Sequence, residues 1–418
     1  MSDYLGYPYD RVENLCHDYI VATYQIFGSG YSDILKKTAA FAVGQTVGTW
    51  VKVPGITDEM REKYQGRIIG IYPVDCQEET IFIIKIAFPL VNFAGSFNML
   101  FTALVGNDVS TAMATKLVDI ELQGGASKQF DGPSKGIKEL RELTGVMNRP
   151  IILNMIKPCL GFDAKTGANF FYESALGGVD IIKDDELLGN VDYNHVADRV
   201  RLYGEAAKRA GDKTGKETVY MVNISDTPSK TKDNIKAAID AGAKACLINF
   251  VFGSIDLLME ITKKYGNEIF IMAHYAGVAV LDWPCGGISP SVYLGTIPRL
   301  AGAHSVMTMY PNFRDSKAVF GYLRTVQNQM LPLAGINPLV TAVGGGITPI
   351  NQQAVQCDLG KDVVIGIGGA IQGHPMGTTQ GSVAAVDAVS ATAEGMPLEE
   401  KAKSSPALKA ALDLWGKT

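Results

Sequence analysis

Gly177-Gly178-Val179-Asp180-Ile181-Ile182-Lys183-Asp184-Asp185-Glu186 carries the plan of this chain. Two glycines open the stretch, a short, largely apolar run follows, and Lys183-Asp184-Asp185-Glu186 close it. A run of that kind suits a parallel strand buried on both faces. Residues i and i+2 of a strand share a face, so Lys183 and Asp185 are expected to point together into whatever lies beyond its end. Glu186 sits where the strand stops and can turn the same way.

Comparable apolar runs recur at 151–155, 219–223, 245–250, 269–273, 305–309, 339–343 and 363–367, with this one at 179–182. Helical periodicity fills most of the gaps, as at 194–210, 231–241 and 254–265. Eight strand-then-helix units predict an α/β fold, a (β/α)8 TIM barrel over residues 133–418. An open doubly wound sheet is the alternative, but no GxGxxG fingerprint follows an early strand. Residues 1–132 differ in texture: 19–24 and 80–88 are rich in β-branched and aromatic residues, whereas 32–44 and 98–112 have a helical pattern. That mixture predicts an α+β domain, ending at the turn signal Asp131-Gly132-Pro133.

With 418 residues the chain is long enough for two domains. Lys and Arg total 38 against 43 Asp and Glu, a net charge of −5 without a basic block, which argues against nucleic acid or an anionic membrane as partner. The six cysteines are scattered and form no CxxC pair, as expected of a reduced, cytoplasmic protein. The N-terminus MSDYLGYPYD lacks the basic and apolar regions of a signal peptide, and no apolar stretch is long enough to span a membrane.

Barrel enzymes place their chemistry at the C-terminal ends of the strands. Those ends carry Lys157, Lys183 to Glu186, Asn223, His274, Gly344-Gly345-Gly346 and Gly368-Gly369. Asp185 and Glu186 suit a hard cation such as Mg2+. Lys183 becomes a third anionic oxygen ligand only if its neutral amine captures CO2 as a carbamate; otherwise the cluster is a solvated charge run. Lys157 is either a snorkelling side chain or a proton donor or base. The glycine turns are either tight βα connections or a phosphate cradle, and turns after the seventh and eighth strands are the usual phosphate site of this fold. His274 is a core histidine or a substrate contact.

Asp131-Gly-Pro-Ser-Lys-Gly-Ile137, Ile156-Lys157-Pro158, Gly177 to Glu186, Gly373-His374-Pro375 and Gly48-Thr49-Trp50 stand in the order and at the separations of RuBisCO large subunits. The chain resembles the RuBisCO-like (form IV) proteins, close to the methionine-salvage enolase and oxo-isoapionate phosphate decarboxylase branches. The resemblance implies a ferredoxin-like N-terminal domain before the barrel. It implies Mg2+ on carbamylated Lys183, Asp185 and Glu186, Lys157 as the catalytic lysine of the first barrel strand, and a phosphoryl group on Gly345, Gly346, Gly368 and Gly369. It also implies a homodimer, or an assembly of dimers, in which Thr49 and Asn107 serve the partner's site.

Departures from the carboxylase pattern narrow the chemistry. Its second lysine after Lys-Pro is Cys159 here, the arginine after the fifth-strand histidine is Tyr275, and its next histidine is Val278. The mobile-loop lysine has no counterpart in Met309-Tyr-Pro-Asn-Phe-Arg-Asp315, the serine after the seventh strand is Gly344, and the N-terminal glutamate aligns with Gly44. Addition of CO2 to an enediolate is therefore not expected. The enolase branch has its proton-abstracting lysine where this chain has Asn107. Decarboxylation of a 3-oxo sugar-acid 4-phosphate needs no such base, and is the expected reaction. An enolase or isomerase of a methylthio-pentulose phosphate, and a non-catalytic interaction or stress protein, are the alternatives.

Overall fold

The structure, a computed structural model, describes residues 9–15, 17–48, 53–75, 80–93, 95–112, 114–311 and 316–416. Its strands are β1 (Tyr19–Phe27), β2 (Arg67–Asp75), β3 (Thr80–Pro89), β4 (Thr115–Gln123), β5 (Ile151–Met155), β6 (Ile181–Lys183) and β7 (Val219–Asn223). They continue with β8 (Ala245–Asn249), β9 (Phe270–His274), β10 (Asp282–Trp283), β11 (Gly286–Ile288), β12 (Ser305–Met309), β13 (Val340–Gly344) and β14 (Val364–Ile367). Two compact units result. The first consists of the described residues up to Asp131 with Gly277–Leu300 and Leu323–Ile336, and the second of the rest.

In the first unit the sheet order is β10-β11-β4-β1-β3-β2. Its four long strands are antiparallel neighbours, with helix Tyr31–Gly44 between β1 and β2 and helix Phe97–Leu104 between β3 and β4. This βαββαβ order is ferredoxin-like. Central β1 is apolar and almost wholly buried, as a strand paired on both sides requires. Tyr24 satisfies its buried hydroxyl by donating to the Leu104 carbonyl at 2.9 Å. β11 adds in parallel to β4, fastened by the Lys116–Asp282 ion pair.

In the second unit eight parallel strands close in the order β12-β13-β14-β5-β6-β7-β8-β9. The inner layers hold Leu153, Ile181, Met221, Leu247, Met272, Met307, Ala342 and Val364, one from each strand, all buried in one apolar cluster. A filled barrel leaves no passage through its axis, so a ligand finds no space inside it. The observed strands match the expected runs to within two residues at each end. β6 is the largest displacement, running through Lys183 instead of starting at Val179. No helix among the described residues is long and apolar enough to cross a membrane.

Candidate active site

β6 positions the charged cluster by alternation. Lys183 and Asp185 face the rim cavity, whereas Asp184 turns back into the wall, where it is fully buried. Arg199, from helix Val196–Thr214, meets Asp184 there at 3.1 Å. Tyr220 donates its hydroxyl to both Asp184 oxygens at 2.8 Å, and the Asn223 N–H donates at 2.9 Å. Burial raises the Asp184 pKa against the opposing field of Arg199. The Arg199 guanidinium stays charged, because its anionic partners outweigh its desolvation.

Two amides from neighbouring strands fix the backbone that carries the carboxylates. Asn223 donates to the carbonyls of Asp185 at 3.3 Å and Glu186 at 3.1 Å, and Asn249 donates to that of Glu186 at 2.8 Å. The backbone from which both carboxylates project is thus anchored to the strand ends.

Lys183 is 1 % exposed and donates to the Asp184 carbonyl at 2.9 Å, with Glu186 at 3.7 Å. Burial lowers its pKa, although three acidic neighbours pull the other way. Lys157 behaves oppositely. Its side chain is 39 % exposed and lies 2.5 Å from Asp185 and 3.0 Å from the Cys159 sulfur. Burial works against its charge, but the hydrogen bonds to Asp185 and Cys159 overcome this and raise its pKa. Asp185 is held low in turn: burial opposes its charge, but bonds from Lys157 and the Leu187 N–H prevail. His274 ends β9 with its Nε2 3.6 Å from Glu186. Its Nδ1 accepts from the Ala276 N–H at 3.2 Å, which places the proton of the neutral ring on Nε2, toward Glu186. Burial, then Lys183, push its pKa well below 6.5.

These groups line one cavity of about 580 Å³ with Tyr275, Met155, Met307 and the glycine turns after β13 and β14. Gly345 and Gly346 have φ of 92° and 70°, the left-handed region where a side chain is strained. The structure therefore brings Lys157, Lys183, Asp185, Glu186, His274, Gly345, Gly346, Gly368 and Gly369 together. Asn107 is exposed and belongs to the first unit, where its carbonyl accepts from the hydroxyls of Ser110 and Thr111. Thr49 lies outside the described residues. Leu414 and Trp415, at the end of helix Pro406–Trp415, also line the cavity, and their spacing from the strand ends gave no sign of it.

Among the described residues no three His, Cys, Asp or Glu side chains are grouped to hold a metal ion. Asp185 and Glu186 supply two hard oxygen donors, and the third position is the amine of Lys183, whose desolvation favours the neutral form that reacts with CO2. The donor set fits Mg2+ once Lys183 is a carbamate.

The ribulose bisphosphate carboxylase large chain N-terminal domain family matches residues 11–123, and the catalytic domain family of the same large chain matches residues 136–415. This chain belongs to the RuBisCO large-chain family. A "ribulose bisphosphate carboxylase-like protein" of Archaeoglobus fulgidus is 35% identical over 388 residues, covering 90% of this chain and 88% of that protein. A 2,3-diketo-5-methylthiopentyl-1-phosphate enolase of Geobacillus kaustophilus is 32% identical, covering 95% of this chain and 98% of that protein. Among solved structures, the dimeric archaeal RuBisCO of Hyperthermus butylicus superposes with a TM-score of 0.89 at 26% identity, covering 100% of both chains. The chain is a RuBisCO-like member of the family, as its relatives and its fold both indicate.

Proposed function

We propose that this RuBisCO-like chain is a Mg2+-dependent decarboxylase of a phosphorylated keto-sugar acid, of the 3-oxo sugar-acid 4-phosphate type, acting through an enediolate and not fixing CO2. The observation that carries this reading is the place of Lys157, whose Nζ faces the cavity 2.5 Å from Asp185 and 3.0 Å from the Cys159 sulfur, where it can hand a proton to a bound carbon. Decarboxylation asks for that: the bond to the carboxylate breaks, its electron pair moves into the adjacent carbonyl, CO2 leaves, and Lys157 gives a proton to the carbon. Solvent then restores the proton to Lys157.

Carbamylated Lys183 with Asp185 and Glu186 would hold Mg2+, which when bound supplies Lewis-acid stabilisation of the developing oxyanion. The turns at Gly345-Gly346 and Gly368-Gly369 would hold the phosphoryl group through backbone N–H groups. His274, neutral and presenting its Nε2 proton, would donate a hydrogen bond within the cavity. Cys159 and Gly344 stand where the carboxylase pattern has its second lysine and its serine, which argues against adding CO2 to an enediolate.

A second reading is favoured by the relative named 2,3-diketo-5-methylthiopentyl-1-phosphate enolase. It requires a base for a carbon-bound proton, and Asn107 occupies the place of that branch's lysine. One experiment separates the two. Enzyme pretreated with Mg2+ and bicarbonate is supplied with a synthetic 3-oxo sugar-acid 4-phosphate, beside Lys183→Ala, and CO2 is measured. The expected result is rapid release that the variant loses. Solvent deuterium entering a methylthio-pentulose phosphate, with no CO2 released from the keto acid, would establish the enolase instead.

A further inference from the structure

Tyr275 follows β9 and faces the cavity that holds Lys157, Asp185 and Glu186. Its ring stacks on His274, with centroids 4.8 Å apart and planes at 24°. A Cβ built on Gly345 would lie 4.0 Å from its hydroxyl and 3.5 Å from Met309 Cγ. The hydroxyl therefore flanks the Gly345 turn on its β12 side, whereas Gly368-Gly369 flank the same turn on its β14 side. No hydrogen bond engages this hydroxyl among the described residues.

The surroundings define what could engage it. Burial, then the charges of Glu186 and Asp185, raise the phenol pKa, so the group remains a neutral donor. Both lysines of the cavity are already committed, Lys157 to Asp185 and Cys159, and Lys183 to the Asp184 carbonyl. A half-buried donor without a protein acceptor gains one when a ligand oxygen arrives beside it, on the β12 side of the turn.

We infer that Tyr275 is a further substrate-binding residue, whose hydroxyl donates to a carbonyl or hydroxyl oxygen of the sugar skeleton beyond the phosphoryl group. This rests on the glycine turns holding the phosphoryl group. It makes the fifth strand a reader of the carbon chain, through a neutral donor that has no charge to offer a second phosphoryl group.

Calorimetric titration of wild type and Tyr275→Phe with inorganic phosphate and with ribulose 5-phosphate tests it. Phe keeps the ring on His274 and removes only the oxygen, and an unchanged melting temperature verifies the fold. The expected result is about tenfold weaker binding of ribulose 5-phosphate with phosphate binding unaltered. Equal affinities for both probes in both proteins would overturn the inference, because the hydroxyl would then touch no ligand. Parallel weakening of both probes would also overturn it, by assigning the hydroxyl to the phosphoryl group. Failure of wild type to bind either probe would remove the glycine-turn reading and this inference with it, and leave CO2 release as an independent test of the reaction.

Discussion

Lys157 and Lys183 are two lysines at the ends of adjacent strands, with opposite electrostatic situations. Lys157 is partly open to solvent and ion-paired, so it keeps its proton; Lys183 is sealed among backbone and carboxylates, so desolvation favours losing it. One can donate a proton and the other can capture CO2, a division of labour set by environment alone. Lys157→Met is expected to lower kcat by about 10²–10⁴-fold, the usual worth of a positioned acid, with little change in KM. Steady-state kinetics on the decarboxylation substrate would check it, and an unchanged kcat would assign the proton to another donor. A different residue contributes to the loss of stability in acid. His304 is fully buried, accepts from the Ile271 N–H through Nδ1 at 3.0 Å and lies 3.0 Å from Ser134, and burial lowers its pKa to about 3. Because the folded value lies below the unfolded value of about 6.5, the unfolded chain binds the extra proton between them, so stability present above pH 6.5 is lost on acidification. From pH 7 to pH 5 this one ring is expected to cost about 2 kcal/mol, and His304→Asn should flatten that part of the profile in urea unfolding.

Strand β6 shows how much one element settles. Alternation alone indicated that Lys183 and Asp185 share a direction, and the cavity lining agrees. The same rule sends Asp184 the opposite way, but its partner Arg199 lies in the first turn of the next helix and could not be paired with it from spacing. That buried pair is not expected to add much net stability, yet breaking it leaves Asp184 without compensation. Arg199→Met is therefore expected to destabilise the barrel by about 3–5 kcal/mol, read as a fall in melting temperature. The turn after β13 gives the converse case. A Cβ at Gly346 would meet nothing within 4 Å, so Gly346→Ala costs only the strain of its 70° φ, about 1–2 kcal/mol. If the turn binds phosphate through its backbone, the altered turn should raise the apparent dissociation constant for inorganic phosphate well before it affects folding. The strands that the sequence does not announce share a cause. β2 is interrupted by Gly70 and Pro73, and β10 and β11 are two and three residues long, so none carries a periodic pattern of its own. The helical pattern at 98–112 breaks after Leu104 and resumes as a π-turn at Asp108–Ala112, where Gly106 interrupts it.

At the scale of the molecule, the barrel was legible because its strands are buried on both faces and its helices fill the gaps between them. The first unit was less so, since Gly277–Leu300 and Leu323–Ile336 return to it from the barrel sequence. Only tertiary pairing reveals such returns; β11 joins β4 through Gly287 and Ile288, and Arg324 reaches Asp119 at 2.6 Å. Asn107 raises the matching question for the assembly. It is exposed on the first unit, and the cavity lining contains residues of the second unit only. The family resemblance assigns it to the site of a partner subunit, and the related RuBisCO of Hyperthermus butylicus is dimeric. A homodimer with shared sites makes a quantitative prediction. Asn107→Ala and Lys183→Ala should each be inactive alone, because each spoils every site. Mixed by co-refolding, half of the pairs are heterodimers, and each of these carries one site with both parts intact. Activity should then return to about a quarter of wild type, with the dimer confirmed by light scattering. Recovery fits only a site built from two chains. If the mixture stays inactive although heterodimers form, Asn107 serves its own subunit; if Asn107→Ala alone is active, Asn107 serves no site and the barrel carries the reaction with the residues of its own rim.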